Sequence, residues 1–137
     1  MAIQLSVTAR NARLDAIESS VGTAPILRIY DLTAGAPANC AAAITATLLA
    51  EMTLPSDWMA AASNGAKALA GSWADSSANA AGTADFFRVF ESTGTTCHIQ
   101  GTVTATGAGG DMTLDNTSIA SAQAVSITSF TLTDGNA

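Results

Sequence analysis

The sequence predicts a mainly β protein, a single antiparallel β-sandwich preceded by a short N-terminal α-helix. Two observations lead to this fold class. After Gly22, the chain consists of short stretches in which apolar and polar residues alternate, as in half-buried strands. Turn-forming residues separate these stretches, and no strand–helix–strand pattern occurs. The 137 residues suit one domain, which we divide into an N-terminal helical arm, 1–22, and a β-sandwich, 23–137.

The N-terminal helix is expected over 6–20. Ser6 or Thr8 can cap its start, and Gly22 can end it in a left-handed conformation. One side carries apolar residues at helical spacing, and the other side is more polar. The apolar stripe consists of Val7, Leu14, Ile17 and Val21.

This helix has three possible roles. It can cover its own sheet, plug a sheet edge, or dock into a groove on a neighbouring subunit. In the docking case, Leu14 and Ile17 are the anchors, and Arg10 and Arg13 pair with carboxylates of the partner.

Alternation and turn residues define the strands that follow. Long strands are expected at 25–32, 45–54, 84–91, 95–106 and 123–134, with a short one at 112–115. The region 58–81 is ambiguous, because its alanines favour a helix whereas Asn64-Gly65 is a strong hairpin signal. We predict two short strands joined at Asn64-Gly65. The segments 34–39 and 72–83 read as loops, and 107–111 as a hairpin tip.

Composition excludes several classes of function. The chain has 5 basic and 11 acidic residues, a net charge of −6 and one lysine, which argues against binding to a phosphate backbone. It has a single histidine, His98, which excludes a site built from several histidines. No apolar run reaches the ~18 residues of a membrane helix. The start lacks the features of a secretory signal, so we expect synthesis in a cytoplasm without processing.

The sequence carries no catalytic or metal-binding motif. Cys97 and His98 are adjacent in a predicted strand, so their side chains should point to opposite faces rather than form a dyad. The acidic residues near strand ends, Asp111, Asp115 and Asp134, lack the spacing of a calcium loop. We therefore expect a protein that is not an enzyme and uses no cofactor.

Two pairs of residues leave alternatives open. Cys40 and Cys97 could form one disulfide outside a reducing compartment, although two free buried thiols are favoured. Trp58 and Trp73 could form a glycan-binding platform, which requires exposed and coplanar rings; core packing competes for them.

Four segments together resemble a known group of proteins. They are RNARLDAIE at 10–18, TLPSDW at 53–58, CHIQGTV at 97–103 and SITSFTLT at 126–133. The set is similar to small proteins of tailed bacteriophages and prophages that are encoded among virion structural genes. The resemblance implies a virion structural protein and no catalytic residues.

From the resemblance we expect a capsid decoration or cement protein that stabilises contacts between major capsid subunits. It would be made in the host bacterial cytoplasm and reside in the virion, as a homo-oligomer or bound to the capsid lattice. The richness in alanine, serine and threonine agrees, since small side chains lose little entropy when ordered. The alternatives are a neck, tail or fibre-base subunit, or a glycan- or receptor-binding module.

Overall fold

A computed structural model describes residues 2–136, which form one helix and nine strands. The elements are α1 Val7–Val21, β1 Ile26–Asp31, β2 Leu48–Thr53, β3 Ala66–Ala68, β4 Ala74–Asp75, β5 Gly82–Phe90, β6 Cys97–Ala105, β7 Met112–Leu114, β8 Ser118–Ile119 and β9 Val125–Thr133.

Helix α1 forms where its capping residues predict it. The Ser6 hydroxyl accepts a hydrogen bond from the Ala9 N–H at 3.2 Å, and thus serves as the N-cap. At the other end, Gly22 has a φ of +88°, and its N–H donates to the Glu18 carbonyl. Within residues 2–136, no helix is long and apolar enough to span a membrane.

The strands form a single curled sheet. The hydrogen-bonded order is β2-β1-β5-β6-β7-β9-β3, with β4 added to β9 and β8 added to β5. All pairings are antiparallel except that of β6 with β7, which is parallel. The prediction of a mainly β chain with one N-terminal helix is confirmed. In place of the expected antiparallel sandwich, the structure has a mixed sheet that forms a half-barrel. Alternation in the sequence indicates which side chains are buried, but it does not indicate how the strands are connected.

The glycine-rich segment 107–111 is not the predicted hairpin tip. It connects the parallel strands β6 and β7, with Gly107 and Gly109 at positive φ. Parallel strands usually need a connection of about a dozen residues. A shorter connection suffices here because β7 has only three residues. The connection is fixed on β6, since the Gly110 N–H donates to Thr104 Oγ1 and Asp111 Oδ2 accepts from the Thr102 N–H.

Substitution of Gly110 should test this connection. A Cβ at Gly110 would lie 2.7 Å from Thr104 Cγ2 and Oγ1, so the Gly110→Ala variant must displace the connection or the Thr104 side chain that holds it. We expect a loss of about 1–3 kcal/mol in the free energy of unfolding, measured with urea. Gly135→Ala is the matched control, because nothing lies within 4 Å of its added Cβ. Equal stability of the two variants would contradict the tight connection.

The main core packs against the sheet and contains both tryptophans. Trp58 is 0% exposed and Trp73 is 2% exposed, and their ring planes are tilted by 41°. Trp73 also contacts Phe130, which in turn makes a T-shaped contact with Phe87. The glycan platform proposed for Trp58 and Trp73 is therefore wrong, because core packing takes both rings away from solvent.

Local structure covers the two edge strands of the sheet, β3 and β2. The predicted turn at Asn64-Gly65 is confirmed, with positive φ at both residues and reciprocal hydrogen bonds between Ser63 and Ala66. Of the two short strands expected around it, only β3 forms, and the segment before the turn makes isolated bridges at Met59 and Ser63. The segment before the turn pairs with the outer edge of β3. At the β2 end, the Asn79 N–H donates to the Leu49 carbonyl, and Asp75 accepts from the Glu51 N–H. These contacts occupy backbone groups that would otherwise be open to another strand.

Candidate functional site

One side of helix α1 packs against the rest of the chain, and a buried lysine lies at this contact. Lys67 in β3 is 2% exposed. Its Nζ donates to Asp15 Oδ1 and Glu18 Oε2, both at 2.7 Å, and to the Ala60 carbonyl at 2.9 Å. The three ammonium protons therefore have three acceptors. Of the apolar stripe, Leu14 and Val21 are buried here.

This cluster shifts the acidity of its members. Burial lowers the pKa of Lys67, but hydrogen bonds to Asp15 and Glu18 outweigh it, and the pKa lies above its usual value. The hydrogen bond from Lys67 holds the pKa of Asp15 below its usual value. Both shifts favour the charged forms, so the helix is held by an ion pair at neutral pH.

The two arginines of α1 contact the end of β9. Arg10 Nη1 donates to the Asp134 carbonyl at 2.9 Å, and Arg13 Nε lies 3.3 Å from Asp134 Oδ2. The Gly65 N–H of the hairpin donates to Asn11 Oδ1. The helix thus covers the hairpin and the end of β9, which is the edge-plugging role.

The structure buries some of the four expected interface residues and leaves the others on the surface. Leu14 is buried against its own chain, so its assignment as an anchor for a partner is wrong. Arg10 is partly buried and bonded internally. Arg13 and Ile17 remain on the surface, and their contact with a partner stays a prediction.

The first part of the chain carries an unusual share of exposed apolar side chains. Among the residues described, four large hydrophobic side chains are exposed: Ile3, Val7, Ile17 and Leu32. Three of these belong to the arm 1–22, and Ile3 is 85% exposed. Beside Ile17, a cleft of about 390 Å³ opens between the helix and Asp134. A contiguous exposed apolar patch is typical of contact with a partner, and the three exposed side chains of the arm are the candidates for such a patch.

The segment before the helix is held in place. The Asn136 side chain accepts from the Leu5 N–H at 2.8 Å and donates to the Leu5 carbonyl at 3.1 Å. The arm therefore presents Ile3 and Val7 from a position fixed beside the other end of the described chain.

On β1 and β5, the face opposite the main core carries a second layer, built around two neighbouring arginines. Arg28 and Arg88 face each other across β1 and β5. Arg28 pairs with Glu51 and lies over the Phe90 ring at 4.7 Å. Arg88 instead donates to three neutral oxygens, those of Asn39, Ala42 and the Gln100 side chain. Burial lowers the pKa of Arg88.

Segment 32–47 crosses this layer, and we call it the disulfide loop. Cys40 in this loop is bonded to Cys97 in β6, with a Cα–Cα distance of 5.3 Å. The structure thus pairs the two cysteines rather than leaving the free thiols that composition favours.

His98 lies beside a carboxylate and not beside a free thiol. Its Nε2 is 3.8 Å from Glu91 Oε2. Hydrogen bonds from the Thr96 and Thr93 groups lower the pKa of Glu91 to about 2. The ladder shifts register between Val89 and Phe90, which interrupts the strict alternation expected around His98. Among residues 2–136, no three His, Cys, Asp or Glu side chains are grouped to hold a metal ion.

Sequence reasoning missed the two buried cations. Arg88 lies within the apolar run from Phe86 to Phe90, and Lys67 lies next to the hairpin signal. A charged residue inside a strand pattern is a signal for a buried partner. The identity of that partner depends on tertiary contacts with 39–42 and with α1.

Comparison of the chain with protein family models, with curated proteins and with solved structures found no match.

Proposed function

We propose that this chain is a non-enzymatic structural component of a phage particle, a capsid decoration or cement protein that stabilises contacts between major capsid subunits. The observation that carries this proposal is the concentration of exposed large apolar side chains on the arm 1–22. The resemblance of four segments to small virion proteins supplies the kind of partner.

The mechanism is thermodynamic linkage. A protein that binds the assembled shell and not the free capsid subunits stabilises the shell by the free energy of that binding. Repetition on a lattice adds multivalency, so each single contact can be small. The apolar side chains of Ile3, Val7 and Ile17 supply the contact, and Arg13 lies at its edge.

The rest of the fold suits a rigid subunit on a lattice. The hairpin covers one end of the sheet, and the segment around Asp75 and Asn79 covers backbone groups at the other. Covered edges disfavour random strand addition between copies. The low content of charged residues, 12%, suits a surface that packs against neighbours.

The role of the arm can be tested by binding to shells that lack this chain. The double variant Ile3→Ser, Val7→Ser should bind such shells at least about tenfold more weakly than the wild type, because it removes central apolar contacts. Co-sedimentation with purified shells measures this. Both side chains are exposed, so folding should not change.

Leu32→Ser is the matched control for this experiment. Leu32 is the one exposed large hydrophobic residue in the described chain that lies outside the arm. The variant should bind like the wild type. Equal loss of binding in both variants, or no loss in the double variant, would contradict a contact through the arm.

A further inference from the structure

The disulfide loop is held by very few contacts for its length. None of its residues, 32–47, has a buried side chain. Its hydrophobic anchoring is therefore limited to partly buried side chains such as Pro37 and Ile44. Its ends are fixed, because the Asp31 N–H donates to the Thr47 carbonyl and the Thr47 N–H donates to Asp31 Oδ1.

Between these ends, the loop is attached around one place. The Cys40–Cys97 bond joins it covalently to β6. Arg88 Nη2 donates to the Asn39 and Ala42 carbonyls at 2.8 and 2.9 Å. Gln100 Nε2 donates to the Pro37 carbonyl. One covalent bond and three hydrogen bonds thus hold the middle of the loop.

The loop crosses a face whose side chains are shielded from water. Arg88 is 3% exposed although it lies on the side opposite the main core. Tyr30 and Phe86 lie on the same face as Arg88, are buried, and stack at 4.9 Å. Neither ring belongs to the main core cluster.

We propose that the Cys40–Cys97 disulfide is a redox-controlled lock on the disulfide loop. Reduction releases the loop from Arg88 and opens the Tyr30–Phe86 face to solvent, while the main core stays folded. This inference is independent of the proposed function, because it concerns the isolated chain.

The physical basis is the weak attachment that remains without the bond. The hydrogen bonds of Arg88 in the described chain all end on neutral oxygens. A buried cation without a carboxylate partner gains hydration when its cover opens. The crosslink spans 57 residues, and its removal restores chain entropy to the open state.

The bond is accessible to a small reductant. A surface cleft of about 400 Å³ is lined by Cys40, Ala41, Thr95, Thr96 and Cys97. A dithiol reduces the bond in two steps: its thiolate attacks one sulfur and displaces the other, and its second thiol then resolves the mixed disulfide. The protein gains two electrons and two protons, and the dithiol becomes a cyclic disulfide. A cytoplasm, which keeps thiols reduced, would favour the open form.

Arginine labelling tests the lock on the whole chain. The protein is reduced with dithiothreitol, its thiols are blocked with N-ethylmaleimide, and arginines are labelled with phenylglyoxal and located by mass spectrometry. We expect labelling of Arg88 to rise at least about tenfold relative to the oxidised protein, given the usual contribution of a crosslink. Arg13, which is already exposed, should label equally in both forms.

A second variant separates local release from unfolding. In the Cys40→Ser, Cys97→Ser variant, Arg88 should be labelled as in the reduced protein. The circular dichroism spectrum of this variant should match that of the oxidised wild type. Burial raises the pKa of Tyr30, which lies near Arg28, Arg88 and Glu51. In this variant, that pKa should fall towards about 10.

Two results would overturn the proposal. One is a folded, reduced protein in which Arg88 remains unlabelled. The other is loss of the whole fold on reduction, in both the reduced protein and the double serine variant, which would make the bond a general staple. Neither result bears on binding of the arm to shells, so the two proposals fail separately.

Discussion

The Trp58→Ala variant should lose about 3–5 kcal/mol in the free energy of unfolding, the usual effect of emptying a large buried aromatic site. Trp58 is fully buried, stands 5.9 Å from the Trp73 ring, and donates from Nε1 to the Gly22 carbonyl at 3.0 Å. The substitution therefore opens a cavity and leaves the end of α1 without a donor. Urea unfolding, followed by circular dichroism, measures the loss.

Trp58→Phe divides this effect into its parts. It keeps an aromatic ring but removes the N–H, so we expect a smaller loss of about 1–2 kcal/mol. Leu32→Ala, at an exposed site, should stay within about 0.5 kcal/mol of the wild type. If Trp58→Ala were as stable as Leu32→Ala, Trp58 would be a surface residue and the described core would be incorrect.

The Lys67→Met variant should lose about 1–3 kcal/mol, because it removes a buried donor from three acceptors while keeping the length of the side chain. The substitution leaves the Ala60 carbonyl without its donor. It also leaves Asp15 and Glu18 as neighbouring carboxylates with no cation between them. Arg13→Met is the matched control on the same helix. Its side chain is 63% exposed although that of its partner Asp134 is 13% exposed, so its loss should be about 1 kcal/mol.

The pH dependence gives this prediction a second readout. The pKa of Asp15 is lower in the folded state than its unfolded value of 3.8. Its contribution to stability is therefore present above 3.8 and is lost as the pH falls through the folded pKa. The pKa of Lys67 is raised above 10.5, so its contribution is lost as the pH rises through the folded pKa.

Lys67→Met should remove both dependences, and the gap between variant and wild type should narrow at either extreme of pH. Urea unfolding across that range measures the gap. A variant that matches the wild type at neutral pH, or a gap that does not change with pH, would show that α1 is not held by this cluster.

Local signals in the sequence located most elements. The helix expected over 6–20 is found at Val7–Val21, and the strand expected over 123–134 is found at Val125–Thr133. These elements follow capping and alternation, which depend on neighbours in the chain. The hairpin at Asn64-Gly65 could be found for the same reason, since its turn requires two residues that tolerate positive φ.

The arrangement of the strands could not be found in this way. The segment 72–83, which reads as a surface loop, contains the buried Trp73, all of β4 and the first residues of β5. Its small residues hide this role, because it packs through one tryptophan, the small side chain of Ala78 and backbone hydrogen bonds. The sequence also carries no signal for the parallel pairing of β6 with β7, since a strand shows the same alternation whether its neighbour is parallel or antiparallel.

In the candidate site, too, local sequence signals locate the helix but do not determine its tertiary contacts. The exposure of Ile17 agrees with the expected contact surface, but Leu14, one turn earlier, is buried against the chain itself. Both lie on one apolar stripe, so periodicity alone cannot separate an inward residue from an outward one. Lys67, placed by the hairpin under Asp15 and Glu18, decides which part of the stripe faces inward.

The location of this chain in intact particles tests the central proposal most directly. Electron cryo-microscopy of purified particles, with copy number measured by quantitative mass spectrometry, gives both position and stoichiometry. A decoration protein should occupy the head lattice in proportion to the major capsid subunits, with the arm 1–22 against them. A small ring of copies at the tail vertex would contradict the cement role and favour a neck, tail or fibre-base subunit. Absence from the particle would contradict the structural proposal as a whole.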